Sequence, residues 1–262
     1  MPGIAVVTGA SSGIGRSYAE RLASDGMDLV LLARRADRLD GLKRDLEQRG
    51  VSVRTIVADL ARTEEVRRLC TELASLPVRL LVNNAGLAHY MPFAQLPIDG
   101  ARELVDVNAL VPVLLSRAVI PGMIGRGEGA IINVASLLAF SGAARAPHLP
   151  QRAVYAATKA FLVTFTEIVA AELEGTGVKV QVVCPGVVRS EFHSRQGIDM
   201  SRVPRMEPDD IVTASLLDLA RGVVVSIPAM TDETSKAKYD EAAAALLAVA
   251  RSSGLPPRYR TE

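Results

Sequence analysis

Cysteine, histidine and unbalanced charge are all scarce in these 262 residues, and each scarcity closes off a class of function. Cys70 and Cys184 fit no metal-binding spacing, and His89, His148 and His193 come with neither an HExxH pattern nor cysteine partners, so no metal site is expected. Thirty basic residues against 29 acidic leave a formal net charge of +1 without any block of like charges. A nucleic-acid or anionic-lipid partner is therefore not expected. Arg, Asp, Asn or Glu interrupts every apolar stretch before the ~20 residues that a membrane span needs. The short apolar start has neither a charged lead-in nor a cleavage-type segment. Together these absences predict a soluble, cytoplasmic protein with reduced thiols, and no repeat or low-complexity block interrupts it.

What is present is an alternation of short β-branched runs with longer stretches of helical period, the pattern of βαβ units around a parallel sheet. Strands are expected near 4–8, 28–33, 53–57, 79–83, 129–134, 178–183 and 223–227. Helices are expected near 13–24, 38–49, 63–75, 99–124, 155–174 and 208–220. Runs such as "LLVNN" and "AIINVAS" are apolar almost throughout, as central strands covered on both faces should be. The length suits one domain over 1–262. Within it, 188–208 reads as a lid over the ligand and 229–262 as a helical appendage with a Gly-Pro-rich tail. Ligands of such sheets collect at the carboxyl edge, so the chemistry should follow the strand ends.

Directly after the first strand stands "TGASSGIG", residues 8–15. A helix opens with unpaired N–H groups and the positive end of its dipole, and there a phosphate is stabilised without a basic side chain. Gly9 suits the tight turn, Gly13 and Gly15 clear room for a pyrophosphate around Ile14, and Ser11 and Ser12 offer hydroxyls. Taken alone, the stretch also reads as an ordinary Gly-Ser turn. Where the second strand ends, "LLARRADRL" has Arg34 and Arg35 in place of the carboxylate that would accept from an adenosine ribose. Guanidinium groups there grip a 2′-phosphate, which favours NADP(H) over NAD(H), with Arg34 first and Arg35 second. The alternative is a pair of solvated surface arginines.

Tyr155 and Lys159, four residues apart on a predicted helix, project from one face. A phenol titrates ordinarily near about 10, and a neighbouring ammonium should draw that value down and make Tyr155 a proton donor and acceptor. Ser136 ends the fifth strand, where its hydroxyl could hold a substrate oxygen, with Ser141 the second choice. Asn108 lies mid-helix in the apolar setting "LVDVNALVP", an unusual place for an amide unless its hydrogen bonds are used.

The glycine turn, "NNAG" at 83–86 and "YAATK" at 155–159 stand in the order in which the short-chain dehydrogenase/reductase family carries them, and residues 4–190 resemble that family closely. The resemblance implies a three-layer α/β/α Rossmann fold, doubly wound around a mostly seven-stranded parallel sheet. It also implies an oxidoreductase that moves hydride between a nicotinamide dinucleotide and a carbonyl or secondary alcohol. By the same resemblance Asn108, Ser136, Tyr155 and Lys159 would form a catalytic tetrad, with Asn108 holding a water next to Lys159 and Lys159 also on the nicotinamide ribose. Asp59 and Leu60 would meet the adenine. Asn84, Ala85 and Gly86 would meet ribose and adenine, and Pro185, Gly186, Val188 and Ser190 would hold the carboxamide end. Asp59 could instead cap the helix near Thr63.

Two departures from the family pattern stand out. The basic residue that many members carry at the place of Ser12 is missing, and "SLLAFSGAARAPHLPQRAVY" between Ser136 and Tyr155 is longer than the usual spacing. That insertion should reshape substrate entry, and His148 within it reads as a solvent-exposed loop residue or a substrate contact. Phe192, Ile198 and Met200 in the lid point to a partly apolar substrate or, equally, to apolar contacts that stabilise a closed lid. The leading expectation is an NADPH-dependent ketone or aldehyde reductase. An NAD-dependent alcohol dehydrogenase and a non-catalytic dinucleotide sensor are the alternatives. Homodimers or homotetramers through 99–124 and 155–174 are expected, since "FLVTFTEIVAAEL" is apolar around more than one buried stripe.

Overall fold

The computed structural model describes residues 3–142, 149, 151–232, 234–251 and 259. Within Met1–Pro228, a first compact unit, seven parallel strands form one sheet in the order β3-β2-β1-β4-β5-β6-β7. The strands are β1 (Ile4–Thr8), β2 (Asp28–Ala33), β3 (Val53–Val57), β4 (Val78–Asn83), β5 (Gly129–Val134), β6 (Val178–Val183) and β7 (Val225–Ser226). Helices α1 (Gly13–Ser24), α2 (Ala36–Glu47), α3 (Thr63–Ala74), α4 (Ile98–Val105), α5 (Val111–Arg126), α6 (Ala153–Glu172), α7 (Glu191–Ser194) and α8 (Pro208–Arg221) complete the unit. Ala229–Glu262 is a second unit, built around α9 (Thr234–Ala248), a helix with no buried residue.

The side-chain period of two explains why the strands read as unbroken apolar runs. Ala5, Val7, Leu29 and Leu31 enter a core with Tyr18, Leu22, Leu39 and Ile211 from α1, α2 and α8. Val6, Val30, Leu32 and Leu81 point the other way, into a core with Leu69, Leu115, Val119 and Met123 from α3 and α5. Each fully buried leucine in these layers contributes roughly 1.5–3 kcal/mol. Strand order reverses between β1 and β4, and the carboxyl ends of those strands open the crevice where an open α/β sheet takes its ligands.

The expected strands and helices are present, with three physical differences. The seventh strand shrinks from 223–227 to two residues, because the Val223 N–H closes α8 on Asp218 and its carbonyl accepts from the Gln181 side chain. The expected helix over 99–124 carries a π-turn at Asp106–Leu110 between α4 and α5. Finally, the helical run Ile98–Arg126 and α6 are long and apolar enough to span a membrane, with mean hydropathy 1.7 and 1.4, contrary to expectation. Their buried residues, such as Leu115, Met123 and Leu162, pack against the rest of this unit, which is what sheet-covering helices require.

Candidate active site

At the β1–α1 turn the backbone is shaped by close approach. Gly9 and Gly13 take left-handed φ values of 68° and 55°. A Cβ on Gly9 would stand 2.8 Å from the Asn84 Nδ2, and one on Gly15 2.5 Å from the Gly9 carbonyl oxygen. Asn84 is itself fastened to β1, donating from Nδ2 to the Thr8 carbonyl at 2.9 Å while its N–H donates to the Thr8 hydroxyl at 2.9 Å. This turn leaves a bare backbone concavity at the N-terminus of α1, the arrangement that receives phosphate.

A cleft of about 1110 Å³ runs from that turn along the carboxyl edge of the sheet. Its wall contains Gly9, Ser11, Ser12, Gly13, Ile14, Arg34, Arg35, Asp59, Leu60, Asn84, Ala85, Gly86, Ser136, Tyr155, Lys159, Pro185, Gly186, Val188 and Ser190. Of the residues expected to make the site, Gly15 and Asn108 stand behind the wall. Gly15 packs against Gly9, and Asn108 acts on the wall from inside the fold.

Asn108 is fully buried in the π-turn. Its Oδ1 accepts from the Leu87 N–H at 3.0 Å and its Nδ2 donates to the Leu87 carbonyl at 2.9 Å, so one side chain satisfies both polar groups of a residue just past β4. A Cβ on Gly86 would lie 3.2 Å from the Asn108 Oδ1 and 3.5 Å from the Lys159 Nζ, which places Asn108, Gly86 and Lys159 against one another. Lys159 is buried and donates to the Val134 carbonyl at 2.8 Å. Its Nζ stands 5.8 Å from the centre of the Tyr155 ring.

Ser136 caps the short turn after β5, accepting from the Leu138 N–H at 3.1 Å, and its hydroxyl is hydrogen-bonded to Tyr155. Ser141 is occupied elsewhere, donating to the Leu138 carbonyl at 2.7 Å and accepting from Arg152 at 3.2 Å. The electrostatics differ from the expectation for the free protein. Burial pushes the Tyr155 phenol well above its ordinary range, and the Ser136 hydrogen bond offsets this only in part. Burial also pushes the Lys159 ammonium down to about 8. Desolvation outweighs the ammonium here because Lys159 is turned to a carbonyl rather than to the phenol oxygen.

Several partners were not legible beforehand. Tyr90 sets its ring edge-on to Tyr155 at 5.6 Å and shares a hydrogen bond with its hydroxyl, and burial pushes the Tyr90 phenol up to about 12. Phe192, from α7, lies 6.0 Å from the Tyr155 ring, while His193 stacks on Tyr90 at 6.2 Å. Glu191 and Arg195, from the same lid, reach the ends of β1 and β2. Arg35 bonds Glu191 at 3.1 Å and the hydroxyls of Ser11 and Ser12 at 2.9 and 3.1 Å. Arg34, placed first among the expected phosphate ligands, is the exposed one of the pair.

Segment 188–208, expected to form a lid, is fastened at its base, where the Arg189 N–H donates to the Met206 carbonyl and the Met206 N–H to the Val187 carbonyl. Phe192, Ile198 and Met200 line the cleft. Asp59 accepts from the Ala61 N–H at 3.1 Å and does not cap α3, whose N-cap is Arg62. His89 pairs with Glu103 at 3.5 Å, and no metal-binding cluster is present among the described residues. His148 lies outside the described residues.

Residues 3–200 match the family model described as short chain dehydrogenase. The human very-long-chain 3-oxoacyl-CoA reductase is 36% identical over 193 residues, 72% of this chain and 60% of that protein. The chain thus spans about 60% of the length of such relatives. An uncharacterized oxidoreductase of Myxococcus xanthus is 35% identical over 86% of this chain and 87% of its own. Among solved structures, a short-chain dehydrogenase from Sphingobium yanoikuyae in complex with NADPH superposes with a TM-score of 0.92 at 35% identity, covering 99% of this chain and 100% of that one. The bulky-bulky ketone specific alcohol dehydrogenase from Comamonas testosteroni gives 0.87 at 32% identity over 99% of both.

Proposed function

This chain belongs to the short-chain dehydrogenase/reductase family, and from that premise we propose that it is an NADP(H)-dependent reductase of ketones or aldehydes, interconverting carbonyl and secondary alcohol. One observation carries the reading: a phosphate-suited backbone cradle, the arginines Arg35 and Arg195, and the group Tyr155, Ser136 and Lys159 line a single cleft, with Asn108 buttressing it from behind. When bound, the coenzyme supplies the hydride that becomes the alcohol's new C–H bond. The turn at residues 9–15 receives the pyrophosphate, Asp59 and Leu60 flank the adenine, residues 84–86 and Lys159 hold ribose, and Pro185, Gly186, Val188 and Ser190 hold the carboxamide end.

Tyr155 gives its phenolic proton to the carbonyl oxygen, and Ser136 donates a hydrogen bond to that oxygen as negative charge develops on it. Burial pushes the phenol up and so keeps it protonated, the form that carbonyl reduction consumes. Phe192, Ile198, Met200 and Val203 make an apolar wall suited to a hydrophobic ketone. Two relatives are named for carbonyl substrates, one for very-long-chain 3-oxoacyl-CoA and one for bulky-bulky ketones. That Cys70 and Cys184 form no disulfide supports a reducing, cytoplasmic setting, and the exposed apolar residues of α5 and α6 support a homodimer.

The test is a panel of ketones and aldehydes with NADPH, followed by coenzyme absorbance. Turnover on some members, falling by at least about 100-fold in Tyr155→Phe with NADPH affinity retained, is the expected result. Turnover unchanged in that variant, or none across the panel, overturns the reading.

A further inference from the structure

Glu191 stands at the centre of three arginines that come from two separate parts of the chain. Arg35 meets its Oε2 at 3.1 Å, Arg38 meets its Oε1 at 2.6 Å, and Arg195, one turn further along the lid, donates to Oε2. Arg195 also donates to the Ser12 hydroxyl at 3.3 Å. The glycine turn, residues 9–15, contains no cation of its own. The positive charge over Ser12 therefore comes from outside the turn, from Arg35 at 3.1 Å and from Arg195 of segment 188–208 at 3.3 Å.

We infer that Arg195 is a cofactor-specificity residue, completing with Arg35 and Arg38 the site for the 2′-phosphate of NADP(H), and that the Glu191 carboxylate occupies this site as a stand-in anion. The inference rests on the NADP(H) reading proposed above. Three guanidinium groups against one carboxylate leave two positive charges uncompensated. A phosphate monoester carries about −1.5 to −2 at neutral pH and three acceptor oxygens, so it matches this set better than a carboxylate does. Rigid guanidinium forks suit such planar, paired bonds. The Glu191 carboxyl is held far down, to about 2, by Arg195 first and then Arg38 and Arg35, consistent with a position that demands an anion. Glu191 and Arg195 flank Phe192, whose ring packs on Tyr155, so exchanging carboxylate for phosphate links coenzyme choice to the element beside the reacting phenol.

The test measures dissociation constants of NADPH and NADH by fluorescence titration for the full chain and for Arg195→Gln and Glu191→Gln, with circular dichroism to verify folding. Arg195→Gln should weaken NADPH about tenfold, the weight of one charge-assisted hydrogen bond, and change NADH by less than about twofold. Glu191→Gln should tighten NADPH severalfold and leave NADH unchanged. If the parent chain prefers NADPH but Arg195→Gln shifts both coenzymes equally or neither, this inference fails alone. Weaker NADPH binding in Glu191→Gln refutes the stand-in. A parent chain that binds NADH as tightly as NADPH removes the cofactor reading and this inference with it.

Discussion

At Lys159, burial and hydrogen bonding pull in opposite directions. The Val134 carbonyl favours the ammonium, whereas removal from water disfavours it, and burial prevails, leaving the group near 8 instead of 10.5. A lowered lysine value means that between about 8 and 10.5 the unfolded chain holds a proton that the folded chain has released. Stability therefore rises with pH across that window. Comparing wild type with Lys159→Met by urea denaturation at several pH values, the difference should move in favour of wild type as pH climbs from 8 to 10.5; a difference independent of pH would show that the ammonium is not desolvated. Asn108 makes a second case. Asn108→Ala leaves both the N–H and the carbonyl of Leu87 without their partner, which should cost about 2–3 kcal/mol. Asn108→Asp should also destabilise, since a carboxylate accepts from the Leu87 N–H but offers its carbonyl no donor. A melting temperature unchanged in both variants would refute the clamp. These residues were legible from sequence for local reasons: an amide in an apolar helix, glycines where a strand meets a helix, Tyr and Lys four apart. Glu191 was not, because its partner Arg35 is 156 positions away and only the folded lid brings them together.

Elements were readable where their period was long and uniform, and less so where a neighbour intervened. The π-turn at Asp106–Leu110 adds one residue without disturbing the apolar character of the helix around it, so no periodicity could betray it; the lone buried asparagine was its trace. The short β7 was overestimated because residues 223 and 224 are apolar like a strand but bond to α8 and to β6. Between α1, α8 and β6 runs a buried polar chain invisible to pattern reading. The Tyr18 hydroxyl donates to Ser215 Oγ at 2.5 Å, Ser215 donates to Gln181 Oε1 at 2.7 Å, and Gln181 Nε2 returns to the Ser215 carbonyl at 3.1 Å. Tyr18→Phe retains the ring packing and removes the first donor, so about 1 kcal/mol should be lost in denaturant unfolding with no change in slope. A loss near zero would mean that Ser215 is satisfied by Gln181 alone.

At the scale of the whole molecule, exposed apolar side chains gather on one side of the first unit's sheet. Val105, Leu110 and Leu114 along α4, the π-turn and α5 are 46%, 46% and 38% exposed, and Phe161 and Ile168 on α6 are 47% and 56% exposed. Phe161 stacks with Phe165 at 6.1 Å, giving α6 a flat aromatic face. Aromatic and aliphatic groups at this density, on helices whose opposite faces already fill the core, mark a contact surface rather than scattered surface apolarity. Pairing α5 and α6 with the same helices of a second copy, about a two-fold axis, would cover both at once. Phe161→Glu combined with Leu114→Glu places like charges in the centre of that surface on both copies. Light scattering after size exclusion should then give the mass of one chain where the parent gives two, with unchanged circular dichroism. Tyr155 and Lys159 also stand on α6, so the same variant should retain coenzyme binding if each copy holds a complete site. A parent protein that runs as a single chain, or a variant that still pairs, would show that these helices meet something other than themselves.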